Sequence, residues 1–118
     1  MKFENLKVWQ RSIDFTYTIH ELTRGFPNEE KFILTSQIKR AADSIALNIA
    51  EGSTGQTSPE FAKFLGYAVR SAIEVVTCLH IGKRRGLLNE DQFNELYNEL
   101  TIIIKMTQAL RKSINNQR

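Results

Sequence analysis

Apolar residues recur every three or four positions along most of the chain, in four stretches separated by three short breaks. This spacing places the apolar side chains on one face of an α-helix. It predicts helices over roughly 6–24, 29–51, 59–85 and 90–114. No stretch alternates apolar and polar residues as a half-buried strand does. The isoleucine run 102–104 favours strands by composition, but it lies inside a longer helical repeat, so we expect a helix there.

The breaks carry residues that end one helix and begin the next. A glycine stands just past each of the first three predicted helices, a position that glycine favours at helix ends. Asn89 is followed three residues later by Gln92, which fits the capping-box pattern at a helix start. The glycines are Gly25, Gly52 and Gly86, and the other predicted N-caps are Asn28 and Ser58, the latter followed by Pro59.

Short connections between long helices make consecutive helices antiparallel neighbours. The chain has 118 residues and is 42% hydrophobic, which is enough apolar material for one core and too little for two. We therefore predict an all-α fold, with one domain over residues 1–118 that forms an antiparallel, up-down-up-down four-helix bundle.

The apolar stripes of the first and third helices are wider than one bundle needs. Each of these helices carries two adjoining stripes, of which one closes the bundle and the other is buried elsewhere or left as a patch. This width predicts a homo-oligomer. The alternative is a thick core in a monomer that exposes some leucine and alanine.

Two features of the chain bear on its location. The single cysteine, Cys78, has no partner for an intramolecular disulfide, which suits a reducing compartment. The N-terminus lacks the apolar stretch of a signal peptide, and the aliphatic run 102–104 is far shorter than the roughly 20 residues that cross a membrane. We expect a cytoplasmic protein without a membrane segment.

No catalytic or metal-binding constellation stands out in the sequence. A di-iron bundle needs Glu-x-x-His pairs, and none occurs; His20 and His80 lie on different predicted helices with no ligand at suitable spacing. Cys78 lies in an apolar stretch where burial raises its pKa and leaves it inert. The Gly-Ser-Thr-Gly segment at 52–55 lacks the ending of a phosphate-binding loop. We expect no enzyme, no metal and no cofactor.

The excess of positive charge is confined to one part of the chain. The net charge is +3, from 16 basic and 13 acidic residues. Basic and acidic residues balance over 1–52 and over 53–79, so the surplus lies entirely in 80–118, where a local excess can mark contact with nucleic acid. The cations of this part are Lys83, Arg84, Arg85, Lys105, Arg111, Lys112 and Arg118.

Five of these cations are candidates for binding nucleic acid. Lys83, Arg84 and Arg85 end the third predicted helix, and Arg111 and Lys112 end the fourth. The alternative is that they only complement the helix dipoles. An up-down bundle places the two groups at opposite ends, so a monomer has two small basic patches, which a symmetric oligomer would repeat.

Several segments along the chain, taken together, follow the pattern of one known family. They are Phe3 to Trp9, Phe26-Pro27, Gln37 to Ile45, Asn48 to Gly52, Glu60-Phe61 and Phe64-Leu65. With these segments the chain resembles the bacterial four-helix-bundle family first named for proteins encoded in 23S rRNA intervening sequences. The resemblance covers about residues 3–110 and is most specific in the Asn-Ile-Ala-Glu-Gly stretch at 48–52. The family pattern usually has a proline where this chain has Ala46.

The resemblance implies a four-helix bundle that assembles as a ring-like homopentamer. The chain is also similar to the accessory variability proteins of diversity-generating retroelements, which use basic surfaces to bind a reverse transcriptase and nucleic acid. Together with the charge pattern, the family resemblance implies a non-catalytic oligomeric scaffold that binds RNA or DNA. The alternative is a protein–protein adaptor that binds no nucleic acid.

Overall fold

Four long helices make up the structure, a computed structural model that describes residues 1–116. No strand occurs within this range, so the predicted all-α class is confirmed. Two short 3-10 turns, Lys2–Asn5 and Asn28–Glu30, precede the first and second helices. The helices are α1 (Lys7–Arg24), α2 (Leu34–Ser53), α3 (Ser58–Arg84) and α4 (Glu90–Asn115).

The direction of three helices follows from contacts between their ends. The end of α2 packs on the start of α3, where a methyl group on Gly52 would lie 2.7 Å from the Cβ of Phe64. The end of α4 lies over the start of α3, where the guanidinium of Arg111 covers Gly66. Both α2 and α4 therefore run antiparallel to α3.

The first helix packs against α2 and α4. Near the start of α1, Arg11 reaches Glu99 in the middle of α4. Further along α1, Leu22 lines the same seam as Gln92 at the start of α4. Since α1 is thus antiparallel to α4, the helices run up, down, up and down, as the short connections predicted.

The core contains the apolar stripes of α2 and α4. On α4, the apolar spacing predicts that either Met106 or Thr107 faces the core. Thr107 is the one that faces inward: it is 1% exposed, and its hydroxyl donates to the carbonyl of Ile103 at 2.7 Å. Met106 is only partly buried. On α2, the same spacing predicts a buried stripe, and all five of its residues are buried: Leu34, Ile38, Ala41, Ile45 and Ile49.

The second helix begins at Leu34, later than the predicted start at residue 29. Asn28 opens a 3-10 turn instead of capping the helix, and Ile33 adopts a non-helical backbone with φ −120° and ψ −100°. The turn before α2 makes a tertiary contact: the carboxylate of Glu30 accepts a hydrogen bond from Arg85 at the end of α3. Sequence periodicity could not foresee a contact between residues so far apart in the chain.

The starts of the other two helices are close to their predicted positions. Thr57, and not Ser58, caps α3: its hydroxyl accepts from the backbone N–H of Glu60 at 3.2 Å. At α4 the capping box is confirmed, since Gln92 N–H donates to Asn89 Oδ1 at 2.8 Å and Asn89 N–H donates to Gln92 Oε1 at 2.9 Å.

Apolar side chains remain at the surface on all four helices. The two stripes of α1 separate, so that Ile19 is buried while Tyr17 is 65% exposed. Both stripes of α3 enter the core, with Val75 and Leu79 fully buried. Leu47 of α2 and Ile73 of α3 are 67% and 53% exposed. The stripe widths predicted surplus apolar surface, and such surface exists. On α3, however, it lies at Ile73, outside the two predicted stripes.

The third helix is long and apolar enough to cross a membrane when only its length and composition are considered. An 18-residue window of α3 reaches a mean hydropathy of 1.3. The most apolar window thus lies in α3 and not around the isoleucine run 102–104 of α4. A helix that packs in the core of a bundle has the same length and composition, and 39% of this window is buried in the bundle.

Candidate nucleic-acid interface

The three predicted cations at the end of α3 are largely neutralised by acids. The Nζ of Lys83 lies 2.6 Å from Glu90 and 4.6 Å from the centre of the Phe93 ring. Arg85 lies 3.1 Å from Glu30. Within residues 1–116, Arg84 alone of the three forms no ion pair, so this patch offers less free charge than its sequence suggests.

The two predicted cations of α4 lie at the opposite end of the bundle. Because α4 runs antiparallel to α3, Arg111 and Lys112 are near the start of α3 and far from Arg84. The five candidates therefore form two separate groups, as expected for an up-down bundle. Arg118 lies outside the described residues.

Arg111 contributes to a second cluster of cations that the charge count did not reveal. This cluster lines a cavity of about 230 Å³ between α3 and α4, which we call the basic groove. Lys63 and Arg70 are seven residues apart on α3, or about 10 Å along the helix axis, and Arg111 reaches over from α4. The residues of the basic groove are Lys63, Gly66, Tyr67, Val69, Arg70 and Arg111.

A glycine in the middle of α3 gives Arg111 its position. A Cβ at Gly66 would lie 3.1 Å from Nη2 and 3.2 Å from Cζ of Arg111, so the guanidinium lies directly on the helix backbone. Glycine inside a helix costs about 0.8–1.0 kcal/mol relative to alanine. The close approach of the guanidinium is a physical reason for a glycine at this position.

The cations of the basic groove have no carboxylate partners among residues 1–116. Neither Arg70 nor Arg111 forms an ion pair there, and Lys63 makes only a cation–π contact, 5.3 Å from the centre of the Phe64 ring. The buried Nε of Arg111 has no hydrogen-bond acceptor within the described chain. Guanidinium and ammonium groups without acceptors suit oxyanions, phosphate above all.

The seam on the other side of α4 has the opposite character. Between α1 and α4 lies a cavity of about 360 Å³ lined by Asp14, Glu95 and Glu99, with Arg11 as its cation. Arg11 is bound by both oxygens of Glu99, at 2.6 and 3.0 Å. The hydrogen bond and then the charge of Glu99 raise the pKa of Arg11. This acidic seam repels phosphate.

Charge counting missed Lys63 and Arg70 because Glu60 and Glu74 balance them within residues 53–79. Neither acid forms an ion pair within residues 1–116, and neither lines the basic groove. A usable signal was nonetheless present in the sequence. Lys63 and Arg70 are spaced to share one face of a helix, with a glycine between them at an interior position.

The groups considered for catalysis and metal binding remain isolated. Cys78 is 1% exposed, and burial, with a smaller effect of the Glu74 charge, raises the pKa of its thiol. His80 is exposed and meets the edge of Phe93 at 4.9 Å. No group of three or more potential metal ligands occurs in the described part of the chain.

Comparisons with known proteins place the chain in a family. A crystal structure of a protein with unknown function from the S23 ribosomal protein family of Bacteroides thetaiotaomicron superposes with a TM-score of 0.84 at 29% identity. The match covers 95% of this chain and 99% of that one. The comparison with curated proteins finds no significant match. The sequence model of the 23S rRNA-intervening sequence protein matches residues 4–109, so the chain belongs to that family.

Proposed function

We propose that this protein is a non-catalytic, oligomeric scaffold of the cytoplasm that binds nucleic acid, RNA in particular, through the basic groove. The observation that carries the proposal is the set of three cations, Lys63, Arg70 and Arg111, which converge on one groove without a carboxylate partner among the described residues. Phosphate contacts from clustered lysine and arginine supply most of the affinity in sequence-independent nucleic-acid binding.

The tip of α3, by which we mean Lys83, Arg84 and Arg85, contributes less to binding in this proposal. Two of its cations, Lys83 and Arg85, are held by Glu90 and Glu30. A phosphate must compete with these carboxylates, whereas it meets no competitor in the basic groove. Arg84 and Lys112, both exposed, add long-range attraction.

Two triple variants test the proposal with equal changes of charge. The first replaces Lys63, Arg70 and Arg111 with glutamine, and the second replaces Lys83, Arg84 and Arg85. Binding of a labelled RNA is measured by fluorescence anisotropy at about 50 and about 200 mM salt. We expect the groove variant to lose at least tenfold in affinity and about two units of salt slope, because three phosphate contacts disappear.

The tip variant should bind nearly as tightly as the original chain. Thermal unfolding of both variants, followed by circular dichroism, controls for loss of fold. Equal losses in the two variants would assign the binding to net charge alone, and the absence of binding by the original chain at about 50 mM salt would refute the proposal.

The alternative function is that of a protein–protein adaptor. It is favoured by Phe32 and Ile33, which lie in the turn before α2 and are 86% and 58% exposed. Docking of such apolar side chains responds little to salt, whereas phosphate binding weakens steeply. Affinity measured at about 50 and about 200 mM salt therefore separates the two functions: it falls steeply for RNA and changes little for a protein partner.

A further inference from the structure

The basic groove contains an aromatic ring as well as cations. Tyr67 lines it together with Lys63 and Arg70, and its side chain is 40% exposed. The edge-to-face contact of Tyr67 with Phe64, at 5.5 Å and 82°, restrains the ring on the helix surface. An ordered aromatic face thus lies among three cations that lack carboxylate partners within residues 1–116.

We infer that the basic groove binds single-stranded nucleic acid, with Tyr67 as a platform on which an unpaired base stacks. This inference rests on the proposed function and specifies its ligand. Proteins that bind single strands combine a cationic groove that follows the backbone with aromatic side chains that stack on bases. Lys63, Arg70 and Arg111 supply the first element, and Tyr67 supplies the second.

A duplex does not fit this combination of groups. Its bases are paired and stacked inside, so their faces are not available to a ring on the protein surface. The base edges in the deep, narrow major groove of duplex RNA are also out of reach of protein side chains. A duplex would use the cations and leave Tyr67 without a role.

Tyrosine variants test the inference because they change the aromatic ring and leave the charge of the basic groove unchanged. Tyr67→Ala removes the ring, Tyr67→Phe keeps it, and Tyr97→Ala is the matched control. Tyr97 is 42% exposed on α4 and stacks on Phe93 at 5.7 Å, away from the groove. Affinity is measured by anisotropy with a labelled oligouridine single strand and with a duplex RNA of the same length.

We expect Tyr67→Ala to weaken single-strand binding roughly tenfold or more, while Tyr67→Phe and Tyr97→Ala bind within about twofold of the original chain. Duplex binding should be weaker at the outset and unaffected by Tyr67→Ala. All three variants should unfold cooperatively, and Tyr67→Ala and Tyr97→Ala should lose a similar, small amount of stability, because each removes one ring–ring contact.

Two results would overturn the inference, and they differ in what they say about the proposed function. If the single strand and the duplex bind equally and Tyr67→Ala changes neither, the stacking role is refuted while the cationic groove stands. If neither nucleic acid binds, both the inference and the proposed function are wrong.

Discussion

At the scale of single residues, Gly52 and Gly66 lie where two helices approach each other closely. Gly52 ends the Asn-Ile-Ala-Glu-Gly stretch, and a Cβ there would lie 2.7 Å from the Cβ of Phe64 and 3.2 Å from the carbonyl oxygen of Phe61. Neither atom belongs to the flexible end of a side chain. The glycine of this stretch is thus explained by packing of α2 on α3, without any reference to a ligand.

We predict that Gly52→Ala destabilises the bundle. The added methyl group must push α2 away from α3, and overpacking of this kind typically costs about 1–3 kcal/mol. The free energy of unfolding, from urea titration followed by circular dichroism, measures the effect. Gly25→Ala is the matched control, because its nearest neighbour would lie 3.6 Å away and its φ of −85° suits alanine.

The control should leave the free energy of unfolding unchanged or raise it by up to about 1 kcal/mol, because alanine reduces the conformational entropy of the unfolded chain. A Gly52→Ala protein as stable as the original chain would show that α2 and α3 can separate at no cost. In that case the glycine of the specific stretch would require an explanation other than packing.

At the scale of elements, helix boundaries follow local chemistry except where a distant contact intervenes. The capping box of α4 is local: Asn89 and Gln92 satisfy each other's backbone N–H groups, and the sequence pattern predicted it. The start of α2 instead coincides with a long-range contact, since Glu30 pairs with Arg85 just before the backbone at Ile33 leaves the helical region.

We predict that Asn89→Ala destabilises the protein by about 1 kcal/mol, because the N–H of Gln92 loses its acceptor. The matched control is Asn94→Ala, five residues further along α4, whose side chain is exposed and makes no hydrogen bond within the described residues. Thermal unfolding of the two variants measures the difference. Equal unfolding midpoints would mean that water replaces the cap without penalty.

At the scale of the whole molecule, the surface is divided between an acidic seam, a basic groove and scattered apolar side chains. The acidic seam lies between α1 and α4, and the basic groove lies between α3 and α4. Leu47 and Ile73 expose more than half of their surface on the adjacent helices α2 and α3. Water contact of such large apolar side chains favours association of the chain with a partner.

We predict that the protein forms a homo-oligomer in solution, with the five copies that the family resemblance implies. Light scattering coupled to size-exclusion chromatography should give a multiple of the 13.6 kDa chain mass. The double variant Leu47→Ser, Ile73→Ser should lower this mass, because the apolar contact is lost while the core is untouched. Ala109→Ser, at an exposed position of α4, is the control.

A mass of 13.6 kDa for the original chain at all concentrations would contradict the oligomer. The basic groove would then act as a single site, without the repetition that a ring provides. An unchanged mass in the double variant would place the contact between copies on other residues.

The sequence by itself determined the four helices, most of their ends and the buried face of α2, because periodicity and capping depend on residues only a few positions apart. The sequence also identified Arg111 as a candidate for binding nucleic acid, but it did not reveal the groove that Arg111 lines. Only the tertiary structure decided that Lys83 and Arg85 are paired with acids, and that Arg111 lies over Gly66 in one groove with Lys63 and Arg70. The physical reason is that ion pairs and grooves between helices join residues distant in the chain, and helix packing sets their distances.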